Sequence, residues 1–202
     1  MKSRGCFIAA VIVGVLVLVV FGLFSWGVAV NNTLVTMDEG VRSGWSQVET
    51  QYQRRADLIP NLVETVKGFA NQEQDVLIGV TEARAKVSQL TVTKDVLDNP
   101  QSFAKFQAAQ DQLGSALSRL LVVSENYPQL KSNENFLQLQ NQLEGTENRI
   151  TVARQRFNES VQGYNTTLRR FPASLVAAFR GFREKPYFQA KEGSENAPQV
   201  KF

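Results

Sequence analysis

Apolar residues fill the start of the chain and then thin into stripes. Cys6–Val30 is apolar except for Gly14, Gly22, Ser25, Trp26 and Gly27, and no position in it is charged. As a helix rising ~1.5 Å per residue, that run crosses the ~30 Å hydrocarbon core of a bilayer. Beyond it, Leu34, Val41, Trp45, Val48 and Tyr52 recur at three- and four-residue steps, with Asp38 in one slot and Met37 beside it. This spacing predicts a helix that continues out of the membrane. Pro60 lacks an N–H and disfavours helical geometry at Ile59, so the helix is expected to end near Leu58. Pro60 then suits the first turn of a second helix from about Asn61 to Leu90. The stripe of that helix is Leu62, Val66, Phe69, Leu77, Val80 and Val87, widened by Val63, Val76 and Ala83.

Thr91–Asp98 is polar and β-branched and reads as a loop, and Asn99-Pro100 opens a third helix. That helix carries Phe103, Phe106, Leu113, Leu117 and Leu120 and closes at Tyr127-Pro128. The fourth stripe is the longest: Phe136, Leu139, Leu143, Ile150, Ala153, Phe157, Val161, Tyr164, Leu168 and Phe171, with Thr146 in its one gap and Pro172 at its end. A short fifth helix, Ala173–Phe182, and a polar tail complete the chain. No stretch alternates with the period of a strand. The predicted fold is all-α: a single N-terminal transmembrane helix continuing into an antiparallel bundle of four long helices plus a short C-terminal helix. The expected divisions are a short N-terminus at 1–5, the span at 6–30, the bundle at 31–188 and the tail at 189–202.

The apolar run could instead be a signal peptide cleaved near Gly27 and Ala29. Its core from Phe7 to Phe24 exceeds the ~7–15 residues of such a segment, so an anchor is expected. Trp26 suits the headgroup region at the far side. Lys2 and Arg4 stand on one flank and Asp38 and Glu39 on the other, which predicts a cytoplasmic N-terminus and an exported domain. Cys6 precedes the apolar run and so is not a lipid-attachment cysteine of the kind that follows one.

Composition narrows the function classes. The chain has 22 basic and 19 acidic residues, no histidine and one cysteine. Outside Lys2 and Arg4 the charges nearly balance, which gives no footprint for nucleic acid. The commonest general base and metal ligand is missing, and one cysteine supports neither an intrachain disulfide nor a thiolate zinc site. No phosphate-cradling glycine loop or nucleophile elbow occurs. No catalytic, metal or cofactor site is expected, and the protein reads as a non-enzyme.

Longer motifs carry a resemblance. Trp45-Ser-Gln-Val-Glu-Thr-Gln-Tyr-Gln-Arg-Arg-Ala-Asp-Leu-Ile-Pro-Asn-Leu-Val-Glu-Thr-Val-Lys-Gly68 resembles the hallmark of the LemA family. Glu82-Ala-Arg-Ala85, Arg156-Phe-Asn158, Tyr164-Asn165, Arg170-Phe-Pro172, Gly181-Phe182, Lys185-Pro-Tyr-Phe188 and Ala197-Pro198 follow in the family's order and cover almost the whole chain. The resemblance implies a bacterial, single-pass, membrane-anchored helical bundle in the cell's inner membrane. It brings no known enzymatic activity or cofactor. It also implies a relative in the magnetosome membrane and family genes near those of membrane metallopeptidases, which makes such an enzyme a candidate partner. Where the family is expected to place a histidine before the glutamate, this chain has Gln72-Glu73, so no imidazole function carries over.

Three groups of residues are candidates for function. Arg54, Arg55, Asp57, Pro60 and Asn61 would form a capped interhelix corner: one arginine on helix-one carbonyls, Asp57 on the N–H groups of helix two, and an anion or partner site there as the alternative. Phe136, Leu139, Leu168 and Phe171, toward the ends of the longest helix, would mediate self-association where that helix overshoots its neighbours. Arg169, Arg170, Phe179, Arg180, Phe182, Arg183, Lys185, Tyr187 and Phe188, in the basic, aromatic segment 169–191, would meet the membrane surface. Asn158 and Asn165 share a helix face and are expected to make interhelical hydrogen bonds. The function expected is a scaffold or adapter that self-associates or organises other membrane proteins. The alternative is a lipid-binding or membrane-shaping protein. The partners expected are the bilayer, further copies of the chain and another membrane protein.

Overall fold

The computed structural model describes residues 2–90 and 96–190. The first five positions of the expected 91–98 loop, the tail beyond Ala190 with Lys191 and Ala197-Pro198, and the side chains of Lys2, Arg4 and Cys6 lie outside the described residues. Six helices occur among the described residues: α1 Lys2–Phe69, α2 Gln74–Leu90, α3 Pro100–Asn126, α4 Pro128–Lys131, α5 Glu134–Arg169 and α6 Ala173–Arg180. The chain is all-helical, with one long apolar N-terminal helix. It divides into two compact units, Met1–Arg42 with Gln162–Glu184, and Ser43–Val161 with Lys185–Phe202.

Within the second unit, cross-links between helices fix the topology. Along α1, Tyr52 meets Phe106 and Arg55 meets Gln110, so α1 and α3 run parallel. Trp45 packs on Phe157 while Arg55 bonds Glu147, so α5 runs antiparallel to α1. Tyr127 reaches Glu73 and Lys86 reaches Gln112, so α2 runs antiparallel to α3. The α3 start follows the expected signal: the Asn99 side chain accepts from Gln101 N and Ser102 N, and Pro100 takes the first turn.

The interior of this unit is layered. At one end Trp45, Phe103, Phe106, Phe157 and Phe188 form an aromatic cluster, with ring centroids 4.8 Å apart at Phe103–Phe188 and 5.2 Å apart at Trp45–Phe106. At the other end Ile59, Leu62, Val66, Leu77, Val80, Leu113, Leu117, Leu120, Leu130 and Phe136 build an aliphatic core. A polar layer of Tyr52, Arg55, Gln110 and Arg154 lies between them. Val96 and Leu97, in the turn before α3, are buried despite the polar character of their neighbours.

The first helix does not end at Leu58. α1 continues through Pro60 to Phe69, and the chain reverses at Ala70–Glu73 instead. Pro60 removes the N–H that would bond the carbonyl of Ala56, four residues earlier. That carbonyl accepts from Arg84 Nε at 3.0 Å, so α2 satisfies the group that the proline frees. The reversal falls on the polar stretch Asn71-Gln72-Glu73, where the stripe lapses between Ala70 and Leu77. There the backbone closes through Glu73 N to Ala70 O at 3.1 Å. The interhelix corner expected around Pro60 is therefore absent.

In the first unit, Val11–Phe24 is exposed on every face of α1, while Leu34, Val41, Tyr164, Asn165 and Ala177 are buried. The apolar part of α1 is long and apolar enough to cross a membrane, with a mean hydropathy of 2.7 and none of that window buried. The Tyr164 hydroxyl donates to the Arg183 carbonyl at 3.0 Å. Gly181 ends α6 at φ 76°, a left-handed cap suited to glycine.

The link between Pro60 and Arg84 is testable by a double-mutant cycle. Arg84→Met should cost about 1–3 kcal/mol, the range for a buried carbonyl left without a donor. In a Pro60→Ala background residue 60 regains its N–H and serves Ala56 itself, so the cost should fall by at least about half. Urea unfolding in mild detergent, followed by near-ultraviolet circular dichroism, provides the measurement. Strictly additive losses would show that Arg84 acts elsewhere.

Candidate functional site

The polar layer of the second unit is built around Arg55, which is only 3% exposed. Its guanidinium donates to Glu147 Oε1 at 2.9 Å, to the Gln110 carbonyl at 3.3 Å and to Gln110 Oε1. It also lies over the Tyr52 ring, 5.1 Å from the centroid. Arg154 donates to the Tyr52 hydroxyl at 2.7 Å, pairs with Asp111 at 3.6 Å and stacks 4.6 Å from the centre of the Phe188 ring. Arg55 Nε and Gln110 Nε2 have no protein acceptor among the described residues. Both residues border a groove of about 550 Å³ lined also by Asp111, Glu147 and Arg154. Burial pushes the Tyr52 phenol above its ordinary value, although Arg154 and Arg55 pull it down.

The segment after α6 divides in two. Lys185–Gln189 lies as an extended strap across α3 and α5. The Asn158 amide brackets the Phe188 backbone, donating to its carbonyl at 3.0 Å and accepting from its N–H at 3.0 Å. Gln107 does the same for Gln189, at 2.9 and 3.2 Å. Lys185 is buried and bonds Asp98, and Phe188 enters the aromatic cluster. The residues before the strap, in the first unit, stay at the surface. Arg169 pairs with Glu184 and holds its carboxyl below the usual carboxylate range. Arg180 Nε donates to Asn31 Oδ1 at 2.9 Å. Arg170, Phe179 and Arg183 are exposed, and Phe182 is half-buried.

The three candidate groups fare differently. Of the corner motif, only Arg55 enters the interior, and the carbonyl it meets belongs to α3 rather than to the end of a first helix. Arg54, Pro60 and Asn61 are exposed, and Asp57 accepts from Gln53 Nε2 at 2.8 Å rather than capping a second helix. These five residues do not converge. Phe136 is fully buried and Leu139 is half-buried against the core, while Leu137 beside them is exposed. Leu168 is half-buried and Phe171 exposed. From the membrane-surface group, Lys185 and Phe188 belong to the core, and Tyr187 is partly exposed. Gln107, Gln110 and Arg154 carry contacts that the sequence did not single out. Their helix positions resemble those of any polar residue, whereas Arg84 and Asn158 stood within recognisable motifs.

A helical bundle extended by one exposed, apolar, membrane-length helix defines the class of membrane-associated helical-bundle proteins. The LemA family profile matches residues 44–202, and the chain belongs to the LemA family. It is 27% identical over 180 residues to magnetosome protein MamQ 2 of Paramagnetospirillum magneticum, a match covering 81% of this chain and 66% of that protein. It is 26% identical over 188 residues to magnetosome protein MamQ of Magnetospirillum gryphiswaldense, covering 84% and 69%. Protein LemA of Metamycoplasma hominis is 23% identical over 161 residues, covering 80% and 69%. The match thus spans about two thirds of the length of these relatives.

The raised Tyr52 pKa gives a signed expectation. The folded state favours the neutral phenol, so its contribution to stability is intact below the unfolded value of about 10 and is lost as pH rises through the higher folded value. Ultraviolet titration of tyrosinate should show late-ionising phenols, Tyr127 being raised as well, and Tyr52→Phe should remove one of them. A Tyr52 that ionises near 10 with the folded state intact would contradict the burial argument.

Proposed function

We propose that this protein is a membrane-anchored, non-enzymatic scaffold that self-associates or holds another membrane protein through its helical bundle. The observation that carries this reading is where the motif side chains go. Trp45, Tyr52, Arg55, Arg84, Phe157, Asn158, Lys185 and Phe188 are all engaged in contacts between helices or with the strap. Such residues maintain a shape, and a fixed shape beside a bilayer is what a scaffold presents. Anchoring also confines copies to a plane, which raises their effective concentration. Two relatives are named as magnetosome proteins, which supports a membrane-associated role. Self-contact is assigned to Leu168 and Phe171, because Phe136 is fully buried and Phe171 is exposed. A membrane metallopeptidase remains a candidate partner for the adapter form of this role.

The second reading is a protein that binds or shapes lipid directly. It is favoured by the exposure of Leu175 and Phe179 in a segment carrying four arginines. In either case the chain sits in the bacterial inner membrane with the N-terminus in the cytoplasm and the bundle outside, as the flanking charges favour.

Two measurements test the proposal. Mass of the full-length protein in mild detergent and in native-lipid particles, with crosslinking in cells, should report more than one protomer, and Leu168→Glu should lower that number without unfolding the bundle. A lone protomer in all three settings removes self-association and leaves the adapter. For topology, Glu64→Cys in a Cys6→Ser background should react in whole cells with a thiol reagent that cannot cross the inner membrane. Labelling only after that membrane is opened reverses the orientation.

A further inference from the structure

The most exposed large apolar side chain among the described residues is Phe179, at 91%, and Leu175 one helical turn earlier is 63% exposed. Both project from α6, whose other face buries Ala177. Their exposure does not come from a frayed end. Gly181 caps the helix, and Phe182 N returns to the Ala177 carbonyl at 3.0 Å. The C-terminal end of α6 is also fastened in place, because Arg180 bonds Asn31 at 2.9 Å. Asn31 is the first residue after the apolar run Cys6–Val30. The fastening therefore places α6 at the level where α1 leaves the hydrocarbon, with its apolar side chains uncovered. The segment 169–184 that includes them carries Arg169, Arg170, Arg180 and Arg183, against Glu184 alone.

We propose that α6 is an interfacial foot that lies in the headgroup layer of the leaflet from which α1 emerges. Leu175 and Phe179 dip to the acyl boundary, and Arg170 and Arg183 face the phosphates of anionic lipid. This deepens the lipid reading of the same segment and rests on α1 being a membrane span. The combination of a one-sided apolar face and a basic surround suits an anionic interface. A second copy is a poorer occupant of the α6 face, because a symmetric contact through Leu175 and Phe179 would bring Arg180 and Arg183 of the two copies together. The span and the foot would then give the protein two attachments to one bilayer, the second sensitive to lipid charge.

The test uses the full-length chain in a Cys6→Ser background. A single cysteine at position 179 (Phe179→Cys) carries an environment-sensitive fluorophore. Val17→Cys, inside the apolar run, serves as the reference. The vesicles are a three-to-one mixture of phosphatidylcholine and phosphatidylglycerol, or phosphatidylcholine alone, with lipids brominated at shallow or deep acyl positions. Shallow bromine should roughly halve the emission at 179 in the anionic vesicles, deep bromine should do so at Val17, and quenching at 179 should weaken without phosphatidylglycerol. An aqueous, unquenched spectrum at 179 overturns the proposal. So does a blue-shifted spectrum that bromolipid leaves unquenched, which would mark cover by a second copy. If Val17 is still quenched in those cases, the span stands and only the foot fails; loss of quenching at both positions removes both. Equal quenching at 179 in the two vesicles removes the preference for anionic lipid and keeps the insertion.

Discussion

The buried guanidinium of Arg55 constrains everything around it. Removing a charge from water costs several kcal/mol, and only good geometry with full hydrogen bonding offsets that cost. Apart from its Nε, Arg55 obtains it from a carboxylate on α5, a carbonyl and a side-chain amide on α3, and the ring of Tyr52 on its own helix. These partners coincide in one alignment of α1, α3 and α5. Sliding α1 by one turn, ~5.4 Å, would leave the charge buried without them. Apolar stripes on three helices tolerate such a slip far better, because one leucine covers a neighbour much as the next does. The polar layer therefore sets the register that the aromatic and aliphatic layers fill.

The strap works by the same logic at the aromatic end. Phe188 contributes a ring to the cluster around Trp45, but its backbone runs over helices that have no hydrogen bonds to spare. Asn158 and Gln107 supply them in pairs, each amide giving one donor and one acceptor. With Arg154 stacked on the ring from the polar layer, the strap closes one side of the bundle. Residues that looked like a continuous basic, aromatic surface segment are in this way divided. Those up to Glu184 remain outside, and Lys185 and Phe188 are drawn in.

This division bears on function. The motif that identifies the family is largely a set of instructions for packing, so it indicates what shape is kept rather than what is bound. Under the proposed scaffold role, recognition would use what the packing leaves over: the bare apolar surface of α1, the groove beside Arg55 and the exposed row on α6. The first and last are apolar surfaces within one compact unit, joined by the bond between Arg180 and Asn31. A lipid environment would cover both.

The sequence by itself determined the helical class, the membrane-length run, most helix positions, the Asn99-Pro100 start and the family. These follow from spacing, length and local stereochemistry, which neighbours in sequence decide. Tertiary structure decided the rest. Pro60 is a strong local stop, yet α1 passes through it, because Arg84 on another helix accepts the task of serving the freed carbonyl. Two adjacent arginines look alike in sequence, but only Arg55 meets a carboxylate and an amide in the interior, while Arg54 stays in water. Phe136 and Phe171 sit on one stripe, and only the packing around each separates a core ring from an exposed one. Local rules set the cost of a missing hydrogen bond, a buried charge or an uncovered ring. Whether that cost is met depends on groups far away in the chain, and only the folded structure brings them within reach.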